Sequence, residues 1–234
     1  MKVSVILPTY NEAGNIIELI RKIMASIPRE WEYEVIVVDD NSPDKTLQIV
    51  KNEFGNNKAV IPALRKDDRS LARSIRSGIE LAQGEQIIVM DSDFTHDPAE
   101  IPKLLYVGKI YDIVSCSRFC SGGNMQNTQH YIASMLYNWL MRLVLKTQVQ
   151  DNLGGYFTIK KEKIMQLPLG RIFSGYGEYF FCFLHFAQTK KMSIVEIPAF
   201  YGVRHSGKSK SNFFKLLFTY TRAVYKLRRE YGAE

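Results

Sequence analysis

Four short runs of apolar residues punctuate the first half of the chain, at 3–7, 34–38, 59–64 and 86–90. None alternates with polar residues as a half-solvated strand does, and each is too short for a helix. They read as strands buried on both faces. Between them apolar residues return every three or four positions, over 15–26, from the turn at 39–44 to about Phe54, and over 70–82. That spacing predicts amphipathic helices. Buried strands alternating with helices predict an α/β fold, a mostly parallel Rossmann-like sheet with helices on both faces.

The second half is less regular. Residues 112–117 read as a strand leading into Arg118, Gly122 and Gly123 mark a loop, and 129–146 is a long helix. A glycine-containing turn at 151–156, an aromatic helix at 179–188 and a strand at 194–197 follow. A polar loop around Gly207 precedes a last helical pattern at 213–229. With no internal repeat and no linker-like stretch, one domain over 1–210 is expected, with 211–234 as a C-terminal appendage.

In a parallel sheet, ligands sit beyond the carboxyl ends of the strands. Three of the four runs deliver their least strand-like residues there: Pro8-Thr9-Tyr10-Asn11-Glu12, Asp39-Asp40 and Asp91-Ser92-Asp93. If the chain turns, carboxylates two residues apart can meet a divalent cation. Mg²⁺ and Mn²⁺ bind in this way, through one or two carboxylates plus substrate phosphates. A solvated acidic turn is the plain alternative. Asp40 and Glu12 are candidates to accept hydrogen bonds from a nucleobase or ribose, although Asn41, Ser42 and Asp44 mark an ordinary turn and helix cap there. Arg118, Arg204, Lys208 and Lys210 are the cations available to phosphate.

Composition changes this picture in one place. A chain of 234 residues, 46% hydrophobic and 24% charged, buries a core without staples. Its three cysteines, Cys116, Cys120 and Cys182, lack C-x-x-C spacing and read as free thiols in a reducing compartment. No signal-peptide pattern opens the chain, and no apolar run reaches the ~18 residues of a spanning helix. The expectation is a cytoplasmic protein, soluble or peripheral to a membrane. The net charge of +7, however, is uneven: eight cations and two acids fall between 204 and 234, leaving +1 for the rest. The same tail carries Phe213, Phe214, Leu216, Leu217, Phe218, Tyr220, Val224, Tyr225 and Leu227. Such a helix suits an anionic membrane interface, or a place on the domain with its basic face solvated. No nucleic-acid motif accompanies the charge, and no nucleic-acid partner is expected.

A Walker A loop, G-x-G-x-x-G, H-E-x-x-H and G-x-S-x-G are all absent, which disfavours P-loop, dinucleotide, zinc-hydrolase and covalent-hydrolase chemistry. The ordered segments VSVILPTYNE (3–12), EVIVVDDNSPDKT (34–46), IIVMDSDFTHDP (87–98), Ser117-Arg118-Phe119 with Gly122-Gly123, and RHSGKSK (204–210) resemble family 2 glycosyltransferases. Within that family they are similar to the dolichol-phosphate mannose synthase and polyprenyl-phosphate glycosyltransferase type. The resemblance implies a GT-A fold and inverting transfer of a hexose from a nucleotide-sugar, of the GDP-mannose or UDP-glucose type, to a polyprenyl or dolichyl phosphate.

By position it implies Pro8, Tyr10, Glu12, Val38 and Asp40 around the nucleoside. Asp91 and Asp93 would hold the donor and Mg²⁺ or Mn²⁺, with the Ser92 backbone beside them. Arg118 would face the acceptor phosphate, with Ser134 on the acceptor-side helix, while Arg204 and Lys210 close over the donor diphosphate. Asp93, Arg118 and Arg204 are the implied catalytic residues. A lipid phosphate is already ionised and attacks without a general base, whereas a sugar hydroxyl needs one; Glu178 is then the candidate. Transfer to a hydroxyl of a surface glycan and a non-catalytic nucleotide-sugar-binding protein are the competing readings. The chain departs from the family pattern at Thr95, at His130 ahead of Ser134, and at 151–157, which lacks the usual arginine. The donor half therefore matches the pattern more closely than the acceptor half.

Overall fold

The apolar runs become neighbouring strands because neither of their faces tolerates water. In the computed structural model, which describes residues 1–175, 177–202 and 213–231 (backbone only at 213–218 and 230–231), the first half is a strict alternation. It runs β1 (Lys2–Thr9), α1 (Ile16–Ser26), β2 (Glu32–Asp39), α2 (Thr46–Phe54), β3 (Val60–Leu64), α3 (Leu71–Leu81) and β4 (Gln86–Val89). A 3₁₀ turn at Pro98–Glu100 leads into α4 (Ile101–Gly108), followed by β5 (Ile113–Ser117), β6 (Asn124–Met125) and α5 (Thr128–Leu145). Then come β7 (Phe157–Lys160), α6 (Lys161–Ile164), α7 (Leu169–Ile172), α8 (Tyr179–Thr189), β8 (Ile194–Pro198), β9 (Phe200–Tyr201) and α9 (Phe213–Tyr231).

The main sheet has the order β3-β2-β1-β4-β7-β5-β8. The β1–β2, β2–β3, β1–β4 and β5–β8 pairs are parallel. β7 is reversed and lies between β4 and β5, with Phe157 opposite both Val89 and Ser115. A two-stranded parallel ribbon, β6–β9, sits apart from it. The expected mostly parallel α/β sheet is therefore present, with one inserted strand that the apolar pattern did not reveal. β7 is four residues long, too short to show a period, and α4 follows Pro98, contains Pro102 and is only eight residues long.

Because strand side chains alternate between faces, β1 feeds two cores. Val5 and Leu7 join Ile16, Leu19, Ile20 and Ile23 of α1 on one side. Ile6 joins Ala72, Ile75 and Ile79 of α3 and Phe157, Phe180 and Phe183 on the other. Burying each such side chain contributes about 1.5–3 kcal/mol. Gly78 sets how close α3 lies to β1: a β-carbon there would stand 2.4 Å from Ile6 Cγ2. That close approach holds the first turn of α3 beside the tips of β1 and β2.

The C-terminal helix rests on the domain along one face. Val224 and Leu227 are buried with Met141 and Leu145 of α5 and with Phe181 and Cys182 of α8. Tyr220 meets the Phe181 ring edge-on at 5.8 Å, and the Tyr137 and Thr221 hydroxyls are 3.1 Å apart.

Candidate active site at the carboxyl edge of the sheet

Where β1, β2 and β4 end, their tips are tied together. The Asp40 amide donates to the Thr9 carbonyl at 3.0 Å, and the Ser92 hydroxyl donates to the Pro8 carbonyl at 3.0 Å. Asn11 and Asn41 take positive φ values of 55° and 56° just past the first two strands, a conformation asparagine tolerates better than most residues. The result is a cleft of about 140 Å³ lined by Pro8, Thr9, Tyr10, Glu12, Asp40, Arg69, Leu71, Ser74, Asp91, Ser92 and Asp93. Seven of the residues expected from sequence (Pro8, Tyr10, Glu12, Asp40, Asp91, Ser92 and Asp93) thus meet on one wall system.

At one end the Arg69 guanidinium lies 4.4 Å above the Tyr10 ring. Asp40 is buried beneath, its Oδ1 accepting from Arg65 Nε and its Oδ2 from the Ser70 amide, both at 2.8 Å. The Ser70 hydroxyl caps α3 by accepting from the Arg73 amide at 3.2 Å and donates to the Gly175 carbonyl at 2.5 Å. Gly175 has φ +85°, and a β-carbon there would strike the Glu178 carboxylate, so only glycine suits this turn. Glu12 is also buried; its Oε2 accepts from Asn15 Nδ2 at 2.6 Å. Neighbouring Asp39 lies beneath the edge, and burial raises its carboxyl above the ordinary value despite donors from Ser42.

At the other end, Asp91-Ser92-Asp93 turns sharply. Phe94 adopts φ 67°, a costly conformation for a bulky residue. The Asp93 Oδ1 accepts from the Thr95 amide at 3.0 Å and from its hydroxyl at 2.6 Å. His96, buried, accepts the Asp91 amide on Nδ1 at 2.9 Å, and its Nε2 lies 3.8 Å from Asp91 Oδ2. The imidazole stacks on Tyr156 at 4.9 Å and meets Tyr201 edge-on at 4.8 Å. His96 therefore grips the backbone of the acidic turn from the protein side.

The donor set of this turn is oxygen-only. No group of three His, Cys, Asp or Glu residues suited to a metal exists among the described residues, so a closed structural zinc site is not formed there. Asp91 and Asp93 on one cleft wall instead suit Mg²⁺ or Mn²⁺, which take one or two carboxylates and complete their shell from phosphates and water.

Four of the expected residues, Val38, Arg118, Ser134 and Glu178, do not line this cleft. Val38 is fully buried in the α3-side core, opposite Pro8 in the sheet, and is not a wall of the cleft. Ser134 is half-buried on α5, its carbonyl accepting from Asn138 Nδ2 at 2.9 Å. Arg204 and Lys210, with Lys208, lie outside the described residues. Glu178, the candidate base, precedes α8 and is not among the residues lining the cleft.

Arg118 is buried and forks onto Asp151, Nε to Oδ2 and Nη2 to Oδ1, both at 2.7 Å. The Arg118 amide donates to the same carboxylate at 3.1 Å, and the guanidinium lies about 5 Å from the Phe119 and Tyr201 rings. Burial works against the charge, but Asp151 outweighs it and holds the guanidinium pKa above its ordinary value. This pair is not part of the cleft wall; Tyr201, between His96 and Arg118, connects the two.

Arg65, Arg69, Ser74, His96 and Asp151 escaped the sequence reading. The first two sit in Arg65-Lys66-Asp67-Asp68-Arg69, straight after β3, so the rule applied to the other three strand ends would have found them. That rule does not reach Asp151, which lies ahead of the reversed β7 rather than after a forward strand; its signal was its place at the head of the 151–157 segment that partly matches the family pattern.

Comparison with known proteins agrees with this geometry. The sequence matches the family model described as glycosyl transferase family 2 over residues 4–167. It is 33% identical over 237 residues to a dolichol-phosphate mannosyltransferase of Pyrococcus furiosus, a match covering 99% of this chain and 65% of that protein. It is 30% identical to an undecaprenyl-phosphate mannosyltransferase of Micrococcus luteus, over 90% of this chain and 87% of the relative. Among solved structures, glucosyl-3-phosphoglycerate synthase of Mycobacterium tuberculosis, crystallised with Mn²⁺, UDP and phosphoglyceric acid, superposes with a TM-score of 0.70. That match covers 97% of this chain and 78% of the synthase at 18% identity, a likeness of fold. With the family model spanning well over half of the sequence, and the Micrococcus relative matched along most of both chains, the chain belongs to glycosyl transferase family 2.

Proposed function

We propose that the chain transfers a hexose, with inversion, from a nucleotide-sugar of the GDP-mannose or UDP-glucose type to a polyprenyl or dolichyl phosphate. The observation that carries the reading is the convergence of Tyr10, Asp40, Asp91 and Asp93 in one cleft. The polyprenyl-phosphate relatives support the acceptor class. Tyr10, Asp40 and Arg69 would take the nucleoside. Asp91 and Asp93 would hold Mg²⁺ or Mn²⁺, whose charge stabilises the departing diphosphate.

An ionised acceptor phosphate oxygen attacks the anomeric carbon from the face opposite the diphosphate. The new C–O bond forms as the bond to the nucleoside diphosphate breaks, and no general base is required. The protein's contribution is alignment, charge stabilisation and exclusion of water. Arg118 is assigned to the acceptor side with Ser134, and Arg204 and Lys210 to the donor diphosphate. On this reading residues 1–210 form the catalytic unit and 211–234 contact the membrane surface, with the protein peripheral on the cytoplasmic leaflet. No helix among the described residues is long and apolar enough to cross a membrane.

Turnover of nucleotide-sugars with polyprenyl phosphate and Mn²⁺ tests the assignment, and Asp93→Ala tests the site. The variant is expected to lose metal-dependent nucleotide binding by isothermal titration. Unchanged affinity would remove Asp93 from the centre, and transfer only to glycan hydroxyls would replace the acceptor.

A further inference from the structure

One helix of the fold carries the wrong face outward. On α5, Ile132, Met135, Leu136, Trp139, Leu140 and Leu143 are between 41 and 61% exposed. Their spacing (i, i+3, i+4, i+7, i+8, i+11) lays them along a single stripe of a helix about 27 Å long. The opposite side of the same helix does the packing, through Asn138, Met141 and Leu145. Scattered exposed apolar residues are ordinary, but a continuous stripe of six marks a contact surface.

Charge indicates what covers it. Between 128 and 145 there is no acidic residue, and Arg142 is the one full charge. α9, packed on α5 through Val224 and Leu227, exposes Arg222, Tyr225, Lys226 and Arg229 at the same helical spacing. An apolar stripe beside a cationic helix is complementary to an anionic lipid surface. The stripe enters the acyl boundary, cations meet head groups, and Trp139 and Tyr225 suit the level between. A second copy of the chain is a poorer occupant, since self-pairing would bring two cationic regions together.

We propose that the α5 stripe is the surface by which this protein docks on an anionic bilayer leaflet, with α9 supplying the electrostatic attraction. The tail was the segment expected from sequence to enter the membrane, but the apolar face of α9 at Val224 and Leu227 is spent on α5 and α8. The placement also explains how a lipid-borne substrate reaches the site, and this clause rests on the lipid-phosphate reading above. The first turn of α5 touches the Arg118 loop through Tyr131 and Phe119, 5.0 Å apart. Its middle holds the Asp151 loop, Asn138 Oδ1 accepting the Asn152 amide at 2.7 Å. A lipid lying beside α5 would present its phosphate at that end of the fold.

The test uses the whole chain in flotation with vesicles of phosphatidylcholine containing about a third phosphatidylglycerol, and with phosphatidylcholine alone. Leu136→Glu/Trp139→Glu changes only exposed side chains and is expected to bind the anionic vesicles at least about tenfold less. Its nucleoside-diphosphate affinity and melting temperature should remain those of wild type. Arg222→Glu/Lys226→Glu should weaken binding to anionic vesicles at low salt and leave any binding to neutral ones unchanged. The proposal is overturned if wild type ignores both vesicles, or if the α5 variant floats as wild type does. It is equally overturned if light scattering finds a dimer that the α5 variant converts to monomer. Loss of turnover with vesicle binding intact would strike the reaction instead, so the two failures are distinguishable.

Discussion

Replacing Asp151 by asparagine should be among the most damaging isosteric changes available in this fold. The carboxylate is fully buried and Arg118 nearly so. It accepts the two guanidinium donors at 2.7 Å and the amides of Arg118 and Leu153 at 3.1 and 3.2 Å. Asp151→Asn keeps the volume but removes the charge, and turns an N–H donor toward one of those donors. Leaving a buried guanidinium uncompensated costs about 3–5 kcal/mol. That is a large share of the ~5–15 kcal/mol available to a domain, and in a chain of this size corresponds to a fall in Tm of about 6–20 °C.

Urea unfolding followed by tryptophan fluorescence, with Trp31 buried in the core, gives the number directly. The double substitution Arg118→Met/Asp151→Leu should recover most of the loss, because an apolar pair of similar size no longer strands a charge. A cycle through both single variants isolates the coupling. If Asp151→Asn unfolds within about 1 kcal/mol of wild type, the guanidinium has another partner or water reaches it, and the argument fails.

Three further outcomes follow from the site and its surroundings. His96→Asn retains an acceptor for the Asp91 amide whereas His96→Phe retains only the ring. Mn²⁺ titrated in the presence of nucleoside diphosphate should therefore bind the phenylalanine variant about tenfold more weakly than the asparagine variant, and equal affinities would dismiss His96 as a positioning residue. Ser74 lines the cleft, and its buried hydroxyl has no partner among the described residues. Ser74→Ala should leave or raise Tm while weakening GDP or UDP binding about five- to tenfold by calorimetry; unchanged affinity for both refutes a contact with the nucleotide. Glu34 is buried, yet Lys2, Ser4 and the Gln83 amide pull its carboxyl below the ordinary value of 4.5. Its contribution is therefore complete above that value and is lost as pH falls through the lower folded value. Glu34→Gln should flatten the acid limb of stability below about pH 4.5, and an unaltered slope would show that another group governs it.

The strand tips were readable because their chemistry contradicts their surroundings: Glu12, Asp40, Asp91 and Asp93 follow stretches that otherwise exclude charge. Once a parallel sheet is inferred, its geometry brings such residues together whatever their separation in sequence. The second half lacks that logic. Asp151 acts at the same edge only because β7 runs backwards, and four residues carry no period that announces a reversal. Arg118 was noticed as a cation, but its burial between Phe119 and Tyr201 and its pairing across 33 positions depend on tertiary contacts that local patterning does not encode. Val38 shows the converse: a residue adjacent to the site in sequence whose side chain the pleat turns into the core.

The reversed strand also divides the molecule for purposes of change. A forward strand delivers its trailing loop to the working edge, whereas β7, paired with β4 and β5, delivers its leading one, so residues 146–156 arrive there ahead of their strand rather than after it. Exchange of residues 146–156 is therefore a cut that an engineer can make without touching the loops that follow β1, β2 and β4.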